Sequence, residues 1–153
     1  MKIYLASSWR NSLQPTFVQV FRDAGYEVYD FRNPPSNAYF GWSQIDPEWK
    51  SWSLSEYALA LKDPIAEAGF ESDMNALREC DVCVMLMPCG PSSHLELGWA
   101  VGAGKRTIIH IPSSERFEPD LMYKMANKVT FTYKALMSAL ASFKDELTSA
   151  VDR

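Results

Sequence analysis

The sequence has few cysteines and no long hydrophobic run. Its three cysteines, Cys80, Cys83 and Cys89, are odd in number and close together, whereas a secreted domain usually carries an even and dispersed set. We therefore expect a reducing, cytoplasmic location. The most apolar run, residues 82–87, is far shorter than the ~18 residues of a membrane span. The run at residues 3–6 is too short for the core of a signal peptide, so we expect neither export nor membrane attachment.

Basic residues are also in the minority. Lysine and arginine number 15 against 19 acidic residues, which gives a net charge of −4. A nucleic-acid-binding domain usually presents a basic face, so we expect no nucleic-acid partner. Aromatic residues, in contrast, make up 13% of the 153 residues, which excludes disorder and favours a pocket or an interface beyond an ordinary core.

The pattern of apolar runs predicts one α/β domain over residues 1–153. Residues 2–6 and 26–29 are predicted strands that flank a helix at about 11–24, and so short a strand–helix–strand unit indicates parallel pairing. The remaining predicted strands lie at residues 82–87, 107–111 and 129–131. The remaining predicted helices lie at about 63–79, 92–103 and 134–151. We therefore expect a doubly wound, Rossmann-like sheet of five parallel strands with helices on both faces.

An aromatic-rich insertion at about residues 30–63 interrupts this alternation. It mixes turn-forming residues with the rings of Phe40, Trp42 and Trp49. Loops of this length in compact domains are usually functional or disordered, and the aromatic content excludes disorder. The rings either cover one edge of the sheet or form the wall of a pocket for a flat ligand, and the two alternatives have equal weight.

The residues after the predicted central strand include an acid suited to catalysis. Ser92 and Ser93 are predicted to begin a helix, where free backbone N–H groups can hold an anion. Glu96 then falls in the first turn, where the helix dipole favours the ionised carboxylate that a glycosyl-transferring nucleophile needs. The alternative is a structural capping box of Ser93 and Glu96. Gly98 and Gly102 each cost a helix ~1 kcal/mol, which predicts close approach of the helix to the sheet or to another subunit.

Two further groups of residues are candidates. Asp73 lies on the helix before the central strand, where a solvated surface acid is the ordinary alternative. Ser8 and Arg10 follow the first strand at a predicted helix start, an arrangement that suits a phosphate group. The alternative there is a serine N-cap beside a surface arginine.

Three motifs, in this order along the chain, resemble the nucleoside 2-deoxyribosyltransferase superfamily from Tyr4 to about Met125. Residues 95–100 (LELGWA), with Gly-Lys at 104–105, resemble its nucleophile helix, which implies that Glu96 is the nucleophile. Residues 73–77 (DMNAL), followed by 80–82 (CDV), resemble the segment whose aspartate assists at the sugar and base, which implies that role for Asp73. Residues 3–6 (IYLA) resemble the first strand, whose tyrosine faces the active site.

The site pattern is closest to the 2′-deoxynucleoside 5′-phosphate N-hydrolases of this superfamily. Those enzymes carry a serine and an arginine just past the first strand, which implies that Ser8 and Arg10 bind a 5′-phosphate, together with Ser92 or Ser93. The transferases carry an acid six positions before the nucleophile, where this chain has glycine. The resemblance implies hydrolysis of a nucleoside 5′-monophosphate, deoxy in type, through a covalent glycosyl–Glu intermediate, without a metal or cofactor.

The resemblance also implies binding residues outside these motifs. Phe40 and Trp42, with Trp49, would stack on the base. Asp120 and Met122 resemble the segment that reaches a neighbouring subunit's site, which implies a homodimer or a larger homo-oligomer. The family usually has a neutral polar residue where Asp120 stands, and an acid there would repel a 5′-phosphate.

Other functions fit the same residues. Within the resembled superfamily, the alternative is a transferase that exchanges bases between deoxynucleosides. A second alternative is a glycosidase on a related fold, a TIR-like domain that cleaves NAD with a glutamate. A nucleotide-sensing module that binds without turnover is the alternative that is not an enzyme. A metal site of Cys80, Cys83, Cys89 and His94 is a weaker alternative, because buried thiols more often act as small apolar residues.

Overall fold

The computed structural model describes residues 1–35, 39–114 and 116–151. Within these ranges the core is a sheet of five strands in the order β2-β1-β3-β4-β5, and all neighbouring strands are parallel. The strands are β1 (Lys2–Ala6), β2 (Glu27–Tyr29), β3 (Val82–Leu86), β4 (Arg106–His110) and β5 (Lys128–Thr130). The predicted parallel sheet is therefore confirmed.

Helices cover both faces of the sheet. They are α1 (Gln14–Asp23), α2 (Leu54–Ala60), α3 (Pro64–Glu79), α4 (Pro91–Gly102) and α5 (Tyr133–Val151). Residues of α1 and α5 pack on one face, and residues of α3 and α4 pack on the other. In the part of the chain that the structure describes, no helix is long and apolar enough to cross a membrane.

The period of a β-strand decides which side chains of β1 lie under α3 and α4. Ile3 and Leu5 join the core formed with α1 and α5, whereas Tyr4 and Ala6 join the core formed with α3 and α4. The order of the strands reverses between β1 and β3, and ligands of open α/β sheets bind beyond the carboxyl ends of strands at such a point. Tyr4 is thus buried beneath two helices close to this crevice.

Two helix starts differ from their predicted positions. Helix α4 begins at Pro91 after an extended Gly90, because a proline in the first helical position loses no hydrogen bond. The predicted helix start at Ser92 and Ser93 is therefore wrong: Glu96 lies in the second turn, and Ser93 and Glu96 do not form the capping box that was the alternative to a catalytic role. Helix α1 begins at Gln14 with no side-chain cap, so the turn that holds Ser8 lies before the helix rather than at its start.

The insertion folds as an aromatic cluster against α3. The Trp42 ring contacts Phe40, Trp52 and Tyr57 at centroid distances of 4.7, 5.6 and 5.7 Å. Phe40 in turn packs on Gly69 of α3, where an added methyl group would lie 2.7 Å from the Phe40 Cβ. The described rings therefore cover the outside of a helix.

Candidate active site

Tyr4, Asp73 and Glu96 come together between β1, α3 and α4. These three elements pack against one another. The charges of Glu96 and Asp73 both raise the pKa of Tyr4, and the charge of Asp73 raises the pKa of Glu96. Charges inside a folded protein act on one another over several ångströms, so the three side chains lie in the same part of the layer between the sheet and helices α3 and α4.

Burial controls the protonation of Glu96. Loss of water around the carboxyl group, together with the negative charge of Asp73, raises the pKa of Glu96 to about 8, and the Tyr4 hydroxyl opposes this shift. The predicted first-turn position of Glu96 is wrong, so the helix dipole does not favour its ionised form as expected, and burial favours the protonated form.

Asp73 has a different environment from that of Glu96. Its burial raises its pKa, whereas a hydrogen bond from Tyr29 lowers it. The Tyr29 hydroxyl donates to Asp73 Oδ1 at 2.8 Å and lies 3.0 Å from the Ser72 hydroxyl oxygen. Asp73 is therefore not the solvated surface acid that was its alternative.

Tyr29 and Ser72 were not among the predicted site residues. The parallel register of β1 and β2 places Tyr29 opposite Tyr4, and the two rings stack at a centroid distance of 5.3 Å with 16° between their planes. A tyrosine near the end of each of two adjacent parallel strands was the signal in the sequence. It becomes informative only when the register of the strands is known.

Ser8 and Arg10 lie in one turn beyond the carboxyl end of β1. The Ser8 hydroxyl accepts a hydrogen bond from the Arg10 backbone N–H at 3.1 Å, and the Arg10 side chain is exposed. The Arg32 guanidinium donates to the carbonyl oxygens of Ser8, Trp9 and Asn11 at 3.2, 2.9 and 2.9 Å. Arg32, which sequence reasoning did not single out, therefore fixes this turn.

The first turn of α4 carries the two predicted serines. Ser92 is exposed, whereas Ser93 is buried. His94 Nδ1 lies 2.9 Å from the Gly90 carbonyl oxygen, to which it donates, and Nε2 lies 2.9 Å from the Tyr123 hydroxyl oxygen. The 3₁₀ segment Leu121–Met125 is thereby held against α4.

The remaining predicted residues lie elsewhere. Asp120 and Met122 are exposed, and the Asp120 side chain accepts from the Met122 backbone N–H at 2.7 Å. Phe40 contacts α3, and Trp42 contacts other rings of the insertion, so the role of both in base stacking stays a prediction. An added Cβ at Gly98 or Gly102 would meet no atom within 4 Å, so the predicted close approach of α4 to the sheet at these glycines is wrong.

No metal-binding cluster forms among the residues that the structure describes: no three histidine, cysteine or acidic side chains lie together as ligands. Cys80 and Cys83 are buried in the core under α3 and α4, whereas Cys89 lies half-buried 4.0 Å from His94. These residues therefore do not form the four-ligand site that was considered from the sequence.

One cavity runs along α3 and reaches the neighbours of Asp73. It measures about 570 Å³ and follows β2 and α3, and its lining includes Tyr29 and Ser72. Lys2, Glu27 and Glu79 also line it. These residues lie toward the amino ends of the strands, where open α/β sheets do not usually bind ligands. We therefore assign the candidate active site to the acid pair.

Comparisons with known proteins support the fold. Neither protein-family models nor curated protein sequences give a match. Among solved structures, the 2-deoxyribosyltransferase from the psychrotolerant bacterium Bacillus psychrosaccharolyticus has a TM-score of 0.61 and 20% identity over 89% of this chain and 90% of that chain. A conserved protein from Enterococcus faecalis V583 has a TM-score of 0.60 and 16% identity over 93% and 98% of the two chains.

A third structure is more distant. The CMP N-glycosidase from Clostridium botulinum has a TM-score of 0.48 and 18% identity over 87% of this chain and 89% of that chain, which is too low to support an inference. The first two similarities define the fold: a doubly wound parallel α/β sheet of the kind found in a 2-deoxyribosyltransferase. The fold implied by the sequence resemblance is therefore confirmed.

Proposed function

We propose that the protein is an N-glycosidase that cleaves the base–sugar bond of a nucleoside 5′-monophosphate, deoxy in type, through a covalent glycosyl–Glu96 intermediate. The observation that carries the proposal is the half-buried pair of Glu96 and Asp73 near the buried Tyr4. Retaining glycosidases use two carboxyl groups in different environments, of which one acts as the nucleophile and the other as the general acid and base. The fold shared with a 2-deoxyribosyltransferase supports the same chemistry.

The proposed reaction has two steps. In the first, the Glu96 carboxylate attacks the anomeric carbon, the bond to the base nitrogen breaks, and Asp73 gives its proton to the departing base. In the second, water attacks the same carbon, Asp73 takes a proton from the water, and the Glu96 carboxylate is released. Tyr4 orients the nucleophile throughout.

This scheme requires that Glu96 and Asp73 together hold one proton. In the free protein, burial and the charge of Asp73 favour a proton on Glu96, since they raise its pKa to about 8. The positive charge that develops on the sugar favours the Glu96 carboxylate, so the proton moves to Asp73 as the reaction proceeds. Burial of the pair keeps these charges in a medium where they interact strongly.

Ser8, Arg10, Ser92 and Ser93 are the proposed phosphate ligands. The Arg10 side chain is exposed at the carboxyl end of β1, and the backbone N–H groups at the start of α4 favour an anion. Asp120 works against a phosphate if it reaches the same site from another copy of the chain.

We also propose that the protein forms a homodimer or a larger homo-oligomer. Exposed apolar side chains surround the proposed contact segment: Leu95, Leu121, Met122 and Met125 are 75%, 76%, 62% and 50% exposed. Apolar surface of this kind is buried at interfaces between subunits. Sedimentation that finds only monomer at working concentration would count against this proposal.

A screen for base release tests the proposed function. Purified protein is incubated with nucleosides, nucleoside 5′-monophosphates and NAD, with and without an acceptor base. We expect free base from monophosphates in water and none in the Glu96→Gln variant. Product only with an acceptor base indicates a transferase, nicotinamide release indicates an NAD glycohydrolase, and tight nucleotide binding without product indicates a sensor.

A further inference from the structure

The hydroxyl of Tyr29 lies between two residues of α3. It is 2.8 Å from Asp73 Oδ1 and 3.0 Å from the Ser72 hydroxyl oxygen. The Tyr29 ring cannot swing freely, because it stacks on Tyr4 at a centroid distance of 5.3 Å. Strand β2 thus presents one fixed hydroxyl group to the acid on the neighbouring helix.

The hydrogen atoms in this cluster can be assigned from the chemistry of the groups. An ionised carboxylate only accepts hydrogen bonds, so Tyr29 donates its single hydroxyl hydrogen to Asp73 Oδ1. The Ser72 hydroxyl must then donate to the Tyr29 oxygen. The chain runs from Ser72 through Tyr29 to Asp73, and each bond polarises the next.

This series of hydrogen bonds ends on one oxygen of Asp73. Among the described residues, Asp73 Oδ2 has no hydrogen-bond partner, whereas Oδ1 is held by Tyr29. We propose that Tyr29 is a positioning residue that fixes the Asp73 carboxyl group so that Oδ2 exchanges the proton with the departing base. This inference rests on the proposed function and adds to it the group that orients the acid.

The groups that face Asp73 belong to three elements. Tyr29 comes from β2, Tyr4 from β1 and Glu96 from α4. Of these, Tyr29 is the one that forms a hydrogen bond to the carboxylate, and this bond lowers the pKa of Asp73 against the effect of burial. Its loss leaves the burial effect unopposed, so the pKa of Asp73 rises.

Tyr29→Phe tests the inference, because it keeps the ring stacked on Tyr4 and removes only the hydroxyl. We expect kcat/KM to fall by about 10- to 100-fold, since a misdirected acid is costly in this range. Ser72→Ala, which keeps the donor to Asp73, is expected to cost only about 2- to 5-fold. Tyr26→Phe is the matched control on the opposite face of the sheet, and it is expected to leave kcat/KM unchanged.

A double-variant cycle shows whether Tyr29 acts through Asp73. In an Asp73→Asn background, Tyr29→Phe is expected to change kcat/KM by less than about 2-fold, because the acid that it orients is gone. An equal loss in both backgrounds would mean that the Tyr29 hydroxyl has a general structural role, and it would overturn the inference.

A titration of the Asp73 carboxyl carbon by NMR separates this inference from the proposed function. In ligand-free protein, we expect the pKa of Asp73 to be higher in Tyr29→Phe than in wild type, because the hydrogen bond that lowers it is lost. An unchanged pKa would contradict the positioning role whether or not base is released. A raised pKa without base release from any substrate would retain the role of Tyr29 and reject the glycosidase.

Discussion

The rings of Tyr4 and Tyr29 lie nearly parallel, 5.3 Å apart, on adjacent strands of the sheet. The Tyr29 hydroxyl donates a hydrogen bond to Asp73, and the Tyr4 hydroxyl lowers the pKa of Glu96. The two acids of the site therefore have separate tyrosine partners. This separation keeps the carboxyl groups chemically distinct, as a nucleophile and an acid must be.

The rate of base release should depend on pH in a bell-shaped manner. The active pair carries one proton, so kcat/KM rises as the first carboxyl group ionises and falls as pH increases through about 8, where Glu96 loses the proton. Initial rates of base release in buffers between pH 4 and pH 10 give kcat/KM as a function of pH.

Asp73→Asn is the control for this profile. Without the neighbouring charge, the pKa of Glu96 falls, and no acid remains to be lost at high pH. We expect a slower enzyme whose rate stays level above neutral pH. A decline near pH 8 that persists in Asp73→Asn would assign the basic limb to a different group.

Glu96→Gln should stabilise the protein at alkaline pH. In the folded protein the pKa of Glu96 is raised to about 8 from its ordinary value of 4.5, so between these pH values the folded state holds a proton that the unfolded chain has released. The resulting stability is complete below about pH 4.5 and is lost as pH rises through 8. At pH 8.5 we expect Glu96→Gln to gain roughly 2–4 kcal/mol in free energy of unfolding over wild type.

Urea denaturation at pH 5 and pH 8.5 measures this difference. Other titrating groups are common to the two proteins, so the comparison isolates Glu96. If the difference in free energy of unfolding between Glu96→Gln and wild type is the same at pH 5 and pH 8.5, the carboxyl group of Glu96 is well solvated.

Gly69→Ala should weaken the attachment of the insertion to α3. A methyl group at this position would lie 2.7 Å from the Phe40 Cβ, and overpacking of this kind costs about 1–3 kcal/mol. The cost outweighs the ~1 kcal/mol that alanine gains over glycine in a helix. Thermal denaturation, together with limited proteolysis of the insertion, measures the effect.

Gly98→Ala is the matched control on α4. No atom lies within 4 Å of an added Cβ there, so alanine should raise the free energy of unfolding by up to about 1 kcal/mol. A loss of stability at Gly98 would show that a second chain packs against α4.

Arg10→Leu should separate monophosphates from nucleosides. Arg10 is exposed at the carboxyl end of β1, where it can reach a phosphate but not the buried acids. We expect KM for a nucleoside 5′-monophosphate to rise about 10-fold or more, as the loss of a charged hydrogen bond implies, while kcat/KM for the nucleoside stays level. An equal loss for both substrates would place the phosphate site elsewhere.

Periodicity and motif order were enough to predict the parallel sheet and to select Tyr4, Asp73 and Glu96. The local sequence pattern did not predict where α4 begins. The helix starts at Pro91, ahead of Ser92 and Ser93, and Glu96 consequently lies in the second turn instead of the first. The protonation of Glu96 depends on burial under helices distant in sequence. The position of Tyr29 beside Tyr4 depends on the register between β1 and β2, which the sequence of β2 alone does not specify.

Intact-mass analysis of quenched reactions tests the glycosyl–Glu96 intermediate most directly. A monophosphate with a slowly hydrolysed 2-fluoro sugar is mixed with wild-type protein, and the labelled peptide is sequenced. We expect one sugar phosphate added per chain, attached to Glu96, and none in Glu96→Gln. Base release without any adduct, or an adduct at another residue, would contradict the assignment of Glu96 as nucleophile.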